Sequence, residues 1–332
     1  MKKFILELVK LNLFNNTNTT TQTGSGQELS HEMKVFYSDY LLDMAEPKLV
    51  HDQFGQKRPI PKNGGKTIEF RKYSPLPKLT TALNEGVTPN GQKLDVSIVT
   101  ATVAQYGGYV ELSDVLLLTA IDNNLVQATK LLGSQAGRTL DTITRETLVS
   151  GNNIVYSHGK GDRTALPASD ILTVDDIKKA VRALKVMNAE PINGDYVAII
   201  HPDCTYDLTN DPDWKAPHQY KDTTELYSGE IGKIAGCRFV ETTEAKKFIN
   251  AGASGRDVYA TLVIADNAYG VTEVSGGGLE HIVKPLGSAG AADPLNQRAT
   301  AGWKAIKTAK ILVDEYMVRI ESASTFNDHV AN

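Results

Sequence analysis

Residues 57–150 constrain this chain most: a long, two-sided extended arm runs without a pause into an amphipathic helix. From Lys57 to Lys66, prolines and paired glycines forbid a helix, and Thr67-Ile-Glu-Phe-Arg-Lys-Tyr73 then alternates apolar and polar side chains as a strand does. The return leg, from Val96 to Tyr106, alternates in the same way. A two-stranded ribbon has no second layer on which to bury a face and is marginal alone, so an arm of this length needs a support. A neighbouring copy of the same chain is the expected support, which points to assembly rather than chemistry.

The helix that follows is predicted from Ser113-Asp114, with a restart at Asp122-Asn-Asn124. Leu125, Ala128, Leu132, Ala136, Leu140, Ile143 and Thr147 then recur at three and four, and Gly151 with Asn152 and Asn153 ends the run. A helix over 122–149 is about 40 Å long at 1.5 Å per residue, a spine rather than an ordinary globular helix.

The flanks are read against that axis. Residues 1–14 open like an export signal, but Glu7 and Lys10 interrupt the apolar run, no small-residue cleavage site follows, and the stretch is too short to span a membrane. A polar tract over 15–26 has nothing to bury and is expected to be a tether. Order is predicted to resume at Glu28 with Leu29, Met33, Phe36, Tyr37, Tyr40, Leu41 and Met44 at helical spacing, stopping near Pro47. Beyond the spine, Thr173 to Asp176 caps a helix with Ile177, Ala180, Val181, Leu184 and Met187 on one face. Residues 196–201 read as a buried strand, Pro202 starts a helical segment, and 229–242 and 258–265 add strands. The last run, 302–321, reads as paired strands. The ends of the chain are therefore expected to build one domain around an inserted α/β unit.

Composition narrows the functions available. The 332 residues suffice for about two domains, and 41% apolar residues is ordinary for a globular protein. Cys204 and Cys237 are far apart, which offers neither a disulfide framework nor a thiolate metal site and suits a reducing compartment during synthesis. A net charge of −4 argues against a reader of nucleic-acid sequence. Catalytic motifs come only as near misses. Gly64-Gly-Lys-Thr67 imitates the end of a phosphate-binding loop, but Ile60 stands where the first glycine belongs, and a strand follows. Gly276-Gly-Gly278 has no dinucleotide-binding spacing. His201, Asp203 and Cys204 gather base, acid and nucleophile types, yet adjacency is not triad geometry, and a core-edge histidine beside a buried cysteine explains them. His158 and His281 lack a second ligand at metal-binding spacing. No cofactor is expected. The arm's cations, Lys57, Arg58, Lys62, Lys66, Arg71, Lys72 and Lys78, are read as a face that meets acidic groups on an adjacent copy.

Four segments in order carry a family resemblance: Gly64-Gly-Lys-Thr-Ile-Glu-Phe-Arg71, Leu83-Asn-Glu-Gly-Val-Thr-Pro-Asn-Gly-Gln92, Leu131-Leu-Gly-Ser-Gln-Ala-Gly-Arg-Thr-Leu-Asp141 and Asp293-Pro-Leu-Asn-Gln-Arg-Ala-Thr-Ala-Gly-Trp-Lys304. From about residue 28 onward the chain resembles the major capsid proteins of tailed bacteriophages typified by coliphage N-four, with the fold of Hong Kong ninety-seven phage. The resemblance implies an α+β fold: an N-terminal arm and first helix over 1–56, an extended β-hairpin loop over 57–110, a peripheral domain with the spine helix over 111–169 and 286–332, and an α/β axial domain over 170–285. It implies self-assembly through pentamers and hexamers into an icosahedral shell around double-stranded DNA, with scaffolding, portal and decoration proteins as partners and no membrane. The expected location is the virion capsid, built in the host cytoplasm. It carries no active site, and Arg58, Arg71, Lys72, Lys78, Glu85 and Pro89 are the expected assembly residues. Two alternatives stay open at this point: a nanocompartment shell of the same fold, and a soluble hydrolase using His201 and Asp203.

Overall fold

The computed structural model describes residues 49–59, 66–73, 76–82, 85–86, 88, 90–119, 124–214, 232–272, 279–288 and 293–332. The expected tether and first helix, Pro89 and the Gly276 turn lie outside these residues. In chain order come strands β1 (Gln56–Arg58), β2 (Thr67–Tyr73), β3 (Val96–Thr102) and β4 (Ala104–Ser113), then helices α1 (Asp114–Thr119) and α2 (Asn124–Val149). There follow β5 (Ile154–Tyr156), α3 (Val174–Val186), β6 (Tyr196–Ile200), α4 (Pro202–Asn210), β7 (Lys233–Ile234), β8 (Cys237–Glu241) and β9 (Lys247–Phe248). The chain ends with β10 (Val258–Ile264), β11 (Tyr269–Thr272), β12 (Leu279–Lys284), β13 (Arg298–Lys307), β14 (Ala309–Ile311) and β15 (Met317–Ser322).

The spine α2 is one unbroken helix whose stripe Ala128, Leu132, Ala136 and Leu140 is buried. It packs on the sheet β12-β13-β4, where Leu279, Ala301, Trp303 and Ala305 complete an apolar layer with Leu49. Odd-numbered residues of β13 face the helix because successive strand side chains alternate between faces. Trp303, whose indole needs an acceptor when buried, donates to Gln135 of the spine at 3.2 Å.

A second, seven-stranded sheet runs β5-β15-β10-β6-β8-β7, with β9 added beside β10. Strands β6, β10 and β15 are buried at every position, as strands covered on both faces must be. Helices α3 and α4 cover one face through Ile177, Ala180, Val181, Leu184, Cys204 and Leu208. The other face meets the end of the spine, where Leu148 and Val149 pack with Ile199, Leu262, Ile264 and Tyr269. Helix α3 starts as expected: the Thr173 hydroxyl accepts from the Asp176 amide while the Asp176 carboxylate accepts from the Thr173 amide, each at 3.4 Å.

Strand pairing cuts across the domain boundaries expected after residues 169 and 285. The final strands do not pair with one another. β13 lies between β12 and β4, whereas β15 is threaded into the seven-stranded sheet between β10 and β5. The reason is local: Val318 and Ile320 of β15 enter the apolar core under α3 and α4, burial that a terminal hairpin on the spine sheet would not offer.

The arm also departs from expectation at its base. β2 and β3 pair antiparallel from Thr67↔Thr102 to Tyr73↔Val96, which puts Ile68, Phe70, Val99 and Ala101 on one face. That face lies on the chain's own body, not on a second copy: Ile68, Phe70 and Ala101 are buried with Val103 and Leu312. The Phe70 ring rests on Gly270, where a Cβ would sit 2.2 Å from the ring, so only glycine admits this contact.

Candidate assembly surfaces

The ribbon that is buried at its root is bare beyond it. Leu76, Leu79 and Leu94 of the distal arm are 52%, 75% and 66% exposed, and Val96 and Ile98 on the outer face of β3 are 40% and 55% exposed. The Gln92 side chain donates to the Pro77 carbonyl at 3.2 Å, tying the two legs of the arm together without covering these groups. Fully burying one such side chain is worth about 1.5–3 kcal/mol, so covering five half-exposed ones yields on the order of 5 kcal/mol before the costs of association. Such a surface is made to be covered.

The assembly residues expected from the sequence separate into two groups. Arg58 on β1 and Arg71 on β2 line one cleft of about 490 Å³, opposite Glu190 and Asp266. Lys78 and Glu85 are exposed on the distal arm, away from that cleft. The Lys72 side chain and Pro89 lie outside the described residues.

Further exposed apolar groups lie outside the arm. Val115, Leu116 and Leu118 of α1 are 62%, 43% and 88% exposed, at the far end of the spine sheet where the Asp114 amide donates to the Gln297 carbonyl at 3.0 Å. Leu295, two residues before Gln297, is also exposed. The signal was present as the run Val115-Leu-Leu-Leu118 directly after a helix start. On the outer face of the spine sheet, Tyr109 lies over Gly302 in a shallow trough of about 720 Å³ rimmed by Glu111, Lys284, Arg298 and Lys304.

Beneath the spine lies a buried polar node that periodicity could not show. The His51 amide donates to Asp141 at 2.7 Å, and the His51 ring Nδ1 is 2.7 Å from the other Asp141 oxygen. Asp52 accepts from Thr144 at 2.6 Å and pairs with the fully buried Lys307. The Tyr269 hydroxyl donates to the His51 carbonyl, and burial drives its phenol well above the usual range. Three separate elements, α2, β11 and β13, are thus tied to the segment that leads into the arm, and each buried charge has a partner as the low local dielectric demands.

The residues with catalytic chemistry do not assemble a reactive site. Asp203 lies 3.3 Å from His201 Nδ1 and accepts from the Tyr259 hydroxyl at 2.6 Å. Burial lowers the imidazole of His201, and its Nδ1 accepts the Asp203 amide as the cap of α4. Cys204 is fully buried, 4.0 Å from the Ser322 hydroxyl, and burial pushes its thiol far up, which removes the thiolate a nucleophile needs. After Gly64-Gly-Lys, Thr67 begins a strand where a phosphate-binding loop requires a helix. Among the described residues no group of three or more His, Cys, Asp and Glu side chains could hold a metal, and no helix is long and apolar enough to cross a membrane.

Comparison with known proteins adds a family. Residues 97–317 match the family described as phage capsid protein. A comparison with curated proteins finds no match. Among solved structures, the capsid of Ralstonia phage GP4 is similar with a TM-score of 0.68 and 14% identity, over 85% of this chain and 90% of that one. The capsid of cyanophage P-SCSP1u gives 0.63 and 15%, over 83% and 88%, and that of cyanophage Pam1 gives 0.57 and 17%, over 78% and 86%.

Proposed function

Because this chain belongs to the phage capsid protein family, and is a major capsid protein of phage heads with the Hong Kong ninety-seven type of fold, we propose that its bare distal arm is the element that joins neighbouring subunits. The protein is a structural subunit of the virion capsid rather than an enzyme, and it self-assembles into the shell. In the proposed arrangement each arm lies over a neighbour's spine unit, burying Leu76, Leu79, Leu94, Val96 and Ile98, while Lys78 and Glu85 set register through charge. Pentamers and hexamers then close an icosahedral shell around double-stranded DNA, and many modest contacts become a stable container through closure.

The observation that carries this reading is one ribbon with a buried root and an exposed apolar tip. A division into units follows the pairing. The seven-stranded sheet with α3 and α4, including β5 and β15, is proposed as the axial unit that meets its ring partners. The spine, the sheet β12-β13-β4 and the β1-β11-β14 sheet form the peripheral unit. Scaffolding, portal and decoration proteins are proposed partners, with the exposed α1 tip among the surfaces open to them.

Negative-stain electron microscopy with size-exclusion chromatography of the purified chain tests the reading. Closed shells or ring-shaped capsomers are expected, alone or on co-expression with neighbouring head genes. A chain that stays monomeric under both conditions, with its arm intact, would overturn the arm contact.

A further inference from the structure

The two ends of strand β8 carry opposite charge. At its start, β7 turns into β8 through Ala235 and Gly236, and Ala235 shares a cleft of about 400 Å³ with Lys178, Val181, Arg182, Lys185 and Val186 of α3. Asp213 holds Lys178 at 3.0 Å, whereas Arg182 and Lys185 are exposed and have no ion-pair partner among the described residues. Val186 and Met187 stand exposed beside them. The far end of β8 is about 17 Å away, five residues at about 3.3 Å each. There Glu241 pairs in register with Ile200, and the chain leaving β6 enters α4 through His201. Burial lowers the His201 imidazole, and Asp203, Asp328 and Glu241 all oppose that shift, which places three carboxylates around one ring. Lys247 acts on the same ring and pairs with Asp328, while Glu241 has no ion-pair partner among the described residues. Tyr206, one turn after Asp203, and Phe326, two residues before Asp328, are exposed here with their rings edge to face at 5.3 Å.

Each end therefore joins exposed apolar groups to unbalanced charge, and the signs are opposite. Neither end suits its own copy: a two-fold contact would set Arg182 and Lys185 against the same cations, or Glu241 against another Glu241, and like charges facing each other across an interface exclude that pairing. A polyanion such as nucleic acid would meet the basic end and leave the acidic end, with its aromatic pair, uncovered. Head to tail, both ends are satisfied at once. A contact between two different patches of identical chains repeats from copy to copy and closes into a ring when the rotation allows. We propose that the basic end of β8 in one copy receives the acidic end of the next, with Arg182 and Lys185 facing Glu241 and Asp328, and with Val186 and Met187 covered by Tyr206 and Phe326. The occupant of each patch is a second copy of this chain. The inference rests on the reading of the chain as a self-assembling subunit and is independent of the arm contact.

Disulfide capture between two full-length variants tests the contact. One chain carries Met187→Cys and the other Phe326→Cys, with Tyr206→Cys in place of the latter should it not fold; the native Cys204 and Cys237 are buried. On mild oxidation of the mixture at low salt, heterodimer is expected at least tenfold over the homodimer of either chain. The yield should fall several-fold near 1 M salt, where the screening length is about 3 Å. Adding Arg182→Glu to the first chain should lower the heterodimer at least fivefold, and adding Glu241→Lys to the second should restore it. Homodimers as abundant as heterodimers, a yield that ignores both salt and Arg182→Glu, or a loss that Glu241→Lys leaves unrestored would overturn the proposal. Microscopy of the parent separates this failure from that of the arm: shells without the cross-link remove the head-to-tail contact and leave the arm contact standing, whereas the cross-link without shells does the reverse.

Discussion

The two parts of one β-ribbon behave as though they belonged to different proteins. At the root, the inner face of β2 and β3 sets Ile68, Phe70 and Ala101 into the chain's own core. Beyond it, Leu76, Leu79 and Leu94 stand in solvent, as do Val96 and Ile98 on the outer face. The residue types are the same and only the support differs. Apolar alternation therefore reports that a face will be covered, but not by what. A monomeric protein tolerates scattered exposed leucines, whereas a connected apolar strip on a projecting ribbon marks a surface completed by another molecule.

Removing the distal arm breaks the comparison most sharply. Deleting residues 74–95 should abolish shell formation while changing subunit stability by no more than about 1 kcal/mol, because the described residues there bury little within their own chain. Microscopy of the product and a denaturant melt read the two halves separately. Unchanged shell yield would show that the strip is not an interface.

The reverse edit falls on the root. Phe70→Ala removes a fully buried ring and should cost about 3–5 kcal/mol in urea unfolding, with assembly lost only as a consequence of instability. A loss under about 1 kcal/mol would mean the root is as loosely held as the tip, and the contrast would collapse.

How legible this was in the sequence depends on the range of the contact. The spine, the Thr173 cap and strand β6 rest on neighbours three or four positions away or on alternation, so local pattern exposes them. The placement of β15 beside β10 and β5, the seat of Phe70 on Gly270 and the joining of His51 to Asp141 span about 50 to 200 residues, and no periodicity encodes such distances. The assembly residues show the same divide. Arg58 and Arg71 stand out as arm cations, but only the fold reveals that they share a cleft with Glu190 and Asp266. The α1 leucines sit in a short apolar run after a helix start, and such a run reads the same in the sequence whether its face is buried or exposed.

The smallest effects sharpen the contrast best, since they leave both parts intact. Thr173→Ala removes the cap of α3 and should cost about 1 kcal/mol of stability, with shell assembly unchanged at temperatures where the subunit remains folded. Lys78→Glu, on the exposed arm, should do the opposite: stability within about 0.5 kcal/mol of the parent, but assembly slowed a few-fold at low salt. That slowing should fade as salt rises, because an exposed charge acts through a screened field. Light scattering during assembly, followed across a salt series beside a thermal melt, measures both quantities. An effect of Lys78→Glu that persists undiminished at high salt would locate the loss in packing rather than charge, and the charged groups of the distal arm would then have no share in setting its register.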